Sequence, residues 1–225
     1  MLKITIAIFA TLFVLQTSAQ IKKGAILLGG QIAASSNKSN TFTQFTPTSY
    51  TQNNTQKASV FGLNIGTAIK ENKVLGLSFS TSSNKETREN SPNNIYTEKI
   101  NQNEIGLFYR QYKKIHKDFF FFGQADIATV FGKGSSISNP GSNTRNVKQT
   151  GSKVSVSTGI GYAVLKKLQI EITLPNLLGL QSISTKQTDG PPNSGTRDDK
   201  NFSFYSSLSN NNALGNLRVG FRLIF

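Results

Sequence analysis

The chain closes on Leu217-Arg218-Val219-Gly220-Phe221-Arg222-Leu223-Ile224-Phe225. Leu217, Val219, Phe221, Leu223 and Phe225 fall at every second position, and Asn216, Arg218, Gly220 and Arg222 stand between them. Side chains alternate between the two faces of a β-strand, so this period of two marks a strand. One of its faces is strongly apolar and the other is small or charged.

The same split recurs upstream. In one segment Leu168, Ile170, Ile172 and Leu174 oppose Gln169, Glu171 and Thr173. In another, Val154, Val156, Ile160, Tyr162 and Val164 oppose Ser155, Ser157, Gly159 and Gly161. Phe61, Leu63, Ile65 and Ile69 oppose Gly62, Asn64, Gly66 and Ala68, and Leu75, Leu77 and Phe79 oppose Gly76, Ser78 and Ser80. Eight alternating segments are expected, at 24–36, 57–70, 73–82, 100–113, 118–132, 151–165, 167–183 and 213–225.

The connections alternate in length. Three are tight and basic: Glu71-Asn72, the stretch Lys114 to Lys117, and Lys166-Lys167. Four are long and rich in Ser, Thr, Asn and Gln, at 37–56, 83–99, 133–150 and 184–212, with Pro47, Pro92, Pro140 and Gly190-Pro191-Pro192 as turn residues. Short turns at one end and long loops at the other predict an all-β fold, an eight-stranded antiparallel up-and-down transmembrane β-barrel. A soluble barrel of lipocalin type also alternates, but its outer face is charged. Repeated Gly and Ser on one face suit a crowded barrel interior and would weaken a solvent-facing surface. Lipid also demands closure, because every backbone N–H and C=O must be paired within the hydrocarbon.

Ahead of the barrel, Lys3, the apolar run from Ile4 to Leu15 and the small residues Thr17-Ser18-Ala19 have the form of a signal peptide. Cleavage is expected after Ala19, leaving 20–225 as one barrel domain. The apolar run is short for a spanning anchor, which needs about 20 residues. The chain has no Cys, which excludes disulfides, thiolate metal sites and lipidation at a cysteine after the cut. No cofactor is expected.

The C-terminal alternation ending on Phe221, Leu223 and Phe225 looks like the signal read by the barrel-assembly machinery. Phe108-Tyr109-Arg110-Gln111-Tyr112, followed by Phe119-Phe120-Phe121-Phe122-Gly123-Gln124-Ala125, resembles the outer-membrane β-barrel domain common in Bacteroidetes. In architecture the whole mature chain resembles the small OmpX/OmpA-type barrels. The resemblance implies an integral outer-membrane protein with both termini in the periplasm. It implies no particular activity, because one fold serves many functions.

On this topology the net charge of +14 sorts by place. The short-turn end carries Lys22, Lys23, Lys70, Lys73, Lys113, Lys114, Lys117, Lys166 and Lys167 against Glu71 and Asp118. The long-loop end carries twelve basic residues, counting Lys57 and Lys153 at the adjoining strand ends, against six acidic ones. Contacts with outer-membrane lipids and lipopolysaccharide phosphates are expected, and nucleic acid is not. Six charges remain for the inner face: Glu104, Asp126 and Glu171 against Arg110, Arg218 and Arg222. They are expected to pair, as a static network in a barrel too narrow for a channel or as an internal gate. Tyr109, Tyr112, Phe119 to Phe122, Tyr162 and Phe225 are expected to form an interfacial aromatic girdle.

Catalysis is not expected. The one His, His116, stands in a basic turn with Lys114, Lys117 and Asp118. Arginine neighbours would keep Glu104, Asp126 and Glu171 ionised. The expected role is structural or surface interaction through polar loops that could meet an extracellular ligand, with Phe42, Phe45, Tyr50, Phe202, Phe204 and Tyr205 as contact anchors. The alternatives are a narrow pore or solute-transport accessory, and a component of a secretion or assembly apparatus.

Overall fold

The computed structural model describes residues 21–44, 49–91, 94–138, 144–190, 195–209 and 217–225. The proposed signal peptide therefore lies outside the described residues, as does Phe45. Nine strands form one antiparallel sheet: β1 (Ile26–Gln44), β2 (Ser49–Lys70), β3 (Lys73–Ser91), β4 (Asn94–His116), β5 (Phe119–Ser138), β6 (Thr144–Leu165), β7 (Leu168–Asp189), β8 (Thr196–Tyr205) and β9 (Arg218–Ile224). Each of β1 to β7 pairs with the next. The ring closes where β9 lies between β7 and β1, with Ile170 opposite Phe221 and Gly30 opposite Phe221 on the other side. The fold is an up-and-down antiparallel β-barrel.

Tight turns set the short-loop end. Asn72 and Lys117 take left-handed φ values of 58° and 40°. Asn tolerates that conformation in turns, while Lys117 is held there by the ladders on either side. The β4–β5 turn is Lys117-Asp118, so His116 is the last residue of β4 and not a turn residue.

Two expectations about the wall are corrected. The polar stretches 37–56, 83–99 and 133–150 are mostly strand, not long loops, and so is much of 184–212. Strands of 19 to 23 residues in β1–β7 make a tall tube. At about 3.3 Å per residue they far exceed the roughly ten residues that cross a bilayer when tilted. Both faces of these extensions are mostly polar, so the hydropathy loses its alternation while the backbone ladder continues.

The expected eighth strand at 213–225 is also revised. Residues 213–216 lie outside the described residues, and β9 begins at Arg218. The upper part of the eighth column is β8, taken from the expected last loop. It pairs with β7 from Gly179–Tyr205 to Thr188–Thr196. Between the two pieces β7 bulges: Val156 opposes Leu178 while Thr158 opposes Leu174. Pro175 and Asn176 (φ 54°) sit in that bulge, where Pro removes a ladder donor and Asn accepts the left-handed turn. Among the described residues β8 pairs only with β7, and β1 pairs with β9 only up to Ile32. The wall is thus hydrogen-bonded all round below Ile32, and above it no pairing joins β8 to β1 among the described residues.

Outward residues form an apolar belt around the lower wall. It runs from Ile26, Ile69 and Leu75 to Ile32, Phe61, Phe79, Ile105, Phe131 and Val154, all exposed on the outer face. The charged side chains of the strands within that belt point inward.

Candidate functional site

The inner base of the barrel is filled. Ile21, Leu27, Val74, Phe108, Phe120 and Phe122 pack into a buried apolar floor. The chain before β1 folds under the barrel to supply Ile21, which accepts a backbone bond from Asn72 at 3.0 Å. Inner glycines make the room. A Cβ on Gly159 would meet Phe122 Cζ at 2.5 Å, and one on Gly76 would meet Phe108 Cε1 at 2.8 Å.

This revises the expected aromatic girdle. Phe121 is 44% exposed and Phe122 0%, so the Phe119–Phe122 run alternates faces like any strand. Phe119, Phe121, Tyr109 and Phe225 face outward, Tyr162 is half-buried against Phe119, and Tyr112, Phe120 and Phe122 belong to the floor.

A charged clamp rests on the floor. Glu171 on β7 accepts from Arg110 Nη1 at 2.9 and 2.7 Å, from Arg222 Nε at 2.8 Å and from Arg222 Nη2 at 3.1 Å. Arg222 stands on β9 beside Glu171, whereas Arg110 reaches across the lumen from β4. The Tyr112 hydroxyl donates to Glu171 Oε1 at 3.1 Å. The Arg110 guanidinium lies 4.2 Å from the Phe122 ring centroid, so floor and clamp form one packed unit. Gly29 faces the Arg222 guanidinium, and Gly30 on the opposite face is covered by the Phe221 ring. The Gly29-Gly30 pair thereby fits an arginine inside and an aromatic outside at one height.

Above the clamp lies a polar cup of about 50 Å³, lined by Gln31, Asn64, Glu104, Gln124, Asp126, Lys153 and Arg218 among others. That is room for about four waters or a ligand of similar size. Arg110 Nε donates to Gln124 Oε1 at 2.6 Å and Gln124 Nε2 donates to Asp126 Oδ1 at 2.7 Å, so an amide couples clamp to cup. Lys153 Nζ donates to both Glu104 oxygens at 3.1 Å.

All six expected inner charges line the lumen, in two layers. Glu171, Arg110 and Arg222 come together. Glu104, Asp126 and Arg218 lie one layer higher, and Arg218 makes no ion pair among the described residues. Lys153, counted with the charges of the long-loop end, lies in the lumen, where it is the partner of Glu104. Its inward parity, shared with Ser155 and Ser157, was the available signal. Of the expected contact anchors, Phe202 and Phe204 are exposed on the outer face of β8. Tyr205 is corrected to the lumen, with its ring over Gly179. Phe42 and Tyr50 lie in β1 and β2 with undescribed side chains. Phe221 and Phe225 are exposed and Leu223 half-buried at the end of the chain.

An antiparallel barrel with a filled base defines the class. Among solved structures the chain is similar to the outer membrane protein OprG of Pseudomonas aeruginosa, with 12% identity, a TM-score of 0.47, and 92% of this chain and 98% of that chain covered. It is similar to the outer membrane protease OmpT of Escherichia coli, with 12% identity, a TM-score of 0.47, and 95% and 100% covered. A third is Neisserial surface protein A, with 13% identity, a TM-score of 0.35, and 90% and 98% covered. No protein-family model matches the chain, and no curated protein matches it.

Proposed function

We propose that the chain is an integral outer-membrane β-barrel protein that acts by surface contact and does not conduct. The observation that carries this reading is the filled base, where the floor of Phe108, Phe120 and Phe122 and the Arg110–Glu171–Arg222 clamp occupy the lumen. The outer apolar belt supports insertion in a bilayer, where charges would be costly on the lipid side. Polar strand extensions then stand above the membrane as a rigid tube, a better platform for contacts than mobile loops.

On this reading residues 1–19 are an export signal, both termini are periplasmic, and Phe221, Leu223 and Phe225 address the chain to the barrel-assembly machinery. The reading is non-catalytic. His116 is exposed at the short-turn rim, and Glu171 and Glu104 are each held by cations. Planar-bilayer recording of the refolded protein tests the proposal: no steady single-channel current is expected, and a reproducible one would overturn it. The polar cup favours a second reading, a solute-binding accessory open to the outside. Saturable uptake of a small polar solute by proteoliposomes, abolished by Arg218→Gln, would favour it.

A further inference from the structure

Above the apolar belt the outer face of the tube is lysine-rich in an ordered way. On three adjacent strands Lys57 stands directly opposite Lys85, and Lys85 opposite Lys99. On the next three, Lys133 stands opposite Lys148, and Lys148 opposite Lys186. All six are exposed and share the outward face with the belt residues of their strands. Lys38 and Lys200 continue the collar on β1 and β8. Each of the eight wall columns therefore carries one outward lysine.

Like charges directly opposite on neighbouring strands, about 4.8 Å apart, destabilise a sheet. None of these lysines makes an ion pair among the described residues. The acids of the same region are mostly spent on the inside. Arg88 holds Glu86 at 2.7 Å, Arg145 holds Asp189 at 2.5 Å and Arg197 holds Asp199 at 2.9 Å, all on the inward register. Only Glu89 and Asp198 offset the lysines outside, with Asp198 opposite Lys186. The extension thus places arginine–carboxylate pairs within and an excess of lysine without.

The height of the collar indicates its occupant. Lys133 lies two residues beyond Phe131, Lys57 four beyond Phe61, and Lys99 and Lys148 six beyond Ile105 and Val154. For tilted strands this is about 5–15 Å above the belt, at the level of lipid head groups. Thr55 and Thr87 flank Lys57 and Lys85 around an outer-wall hollow of about 180 Å³, supplying hydroxyl donors beside the ammonium groups. Lysine is a compact point charge suited to phosphate. We propose that the two lysine rows are binding sites for the phosphate groups of a phosphorylated outer-leaflet glycolipid, one headgroup per row. This rests on the membrane reading above and specifies which residues meet the lipid.

Native mass spectrometry of the detergent-refolded mature chain, with phosphorylated lipid A or its dephosphorylated form added, tests the site. The wild type is expected to retain the phosphorylated lipid and to release the dephosphorylated one. Each lysine near an anionic surface is worth about fivefold in affinity, so Lys57→Gln/Lys85→Gln/Lys99→Gln should weaken its own row roughly a hundredfold and lower the lipids retained from two to one. The second row, Lys133→Gln/Lys148→Gln/Lys186→Gln, gives an independent variant should the first not fold. Lys117→Gln/Lys166→Gln/Lys167→Gln at the opposite rim should bind as the wild type. Wild-type stoichiometry and affinity in both row variants, or equal retention of the dephosphorylated lipid, would overturn the proposal. Displacement by millimolar inorganic phosphate would identify a free-phosphate site and overturn the lipid assignment. Folding is read in parallel from the gel shift between boiled and unboiled samples. A wild type with no shift would overturn the barrel reading itself, whereas a shifted wild type with unselective lipid binding overturns only the collar.

Discussion

Removing the carboxylate at the centre of the clamp should destabilise the barrel more than removing either arginine. Glu171 takes four arginine hydrogen bonds, two from each guanidinium, and one from Tyr112. Its side chain is 5% exposed, and those of Arg110 and Arg222 are 3% and 1%. Glu171→Gln leaves two buried guanidinium groups facing one neutral amide. Breaking a buried pair from one side costs about 3–5 kcal/mol, and the upper end applies here. Arg222→Met leaves Glu171 with Arg110 and Tyr112, so about 3 kcal/mol is expected. The double variant should cost less than the sum, because each change removes the reason for the other's penalty. Lys167→Met, on an exposed turn, should stay within about 0.5 kcal/mol. The chain has no Trp, so urea unfolding is best followed by circular dichroism and by the gel shift of unboiled samples. Equal midpoints for Arg222→Met and Lys167→Met, or strict additivity in the Glu171–Arg222 cycle, would refute the clamp.

Three further outcomes follow from named contacts. Gly159→Ala drives a Cβ into the Phe122 ring and the Ile172 carbonyl, and should cost about 1–3 kcal/mol in the same urea assay, whereas Gly123→Ala, with open space around it, should not. Neither amide atom of Gln169 has a hydrogen-bond partner among the described residues although the residue is 0% exposed, so Gln169→Met should leave stability unchanged or raise it. In the upper tube the Arg88 hydrogen bond holds the Glu86 carboxyl below its ordinary value. That contribution is present above the ordinary glutamate range and is lost as pH falls through the lowered value. Hydrogen-exchange protection factors of β2 and β3 around Asn54 and Glu86, corrected for the pH dependence of intrinsic exchange, should therefore fall on acidification, and Glu86→Gln should flatten that dependence.

The lower half of the barrel was legible in the sequence because each strand there has one face in contact with apolar surroundings and one in a crowded lumen. The resulting alternation fixed the parity of Glu104, Arg110, Asp126, Glu171, Arg218 and Arg222 and hence their common direction. It could not give their partners. Arg110 meets Glu171 across the lumen from β4 to β7, a contact set by barrel closure rather than by spacing along the chain. The upper half was illegible for the converse reason. Where both faces meet water, stretches such as Ser83–Ser91 read as loop, and the ladder that makes them strand leaves no mark in hydropathy. Lys153 counts with the loop-end charges because it stands near the start of its expected strand, and the lysine rows are invisible because they need cross-strand register. The Phe119–Phe122 run hides its two faces by using one residue type on both.

The central claim is that the belt faces lipid while the small and charged face is enclosed. The absence of native cysteine allows single cysteines at Leu77, Ser78 and Lys85, each carrying an environment-sensitive fluorophore, in vesicles of brominated phospholipid. Strong quenching at position 77, with little at 78 and at 85, is the predicted result. Equal quenching at 77 and 78, or none at either, would contradict the account.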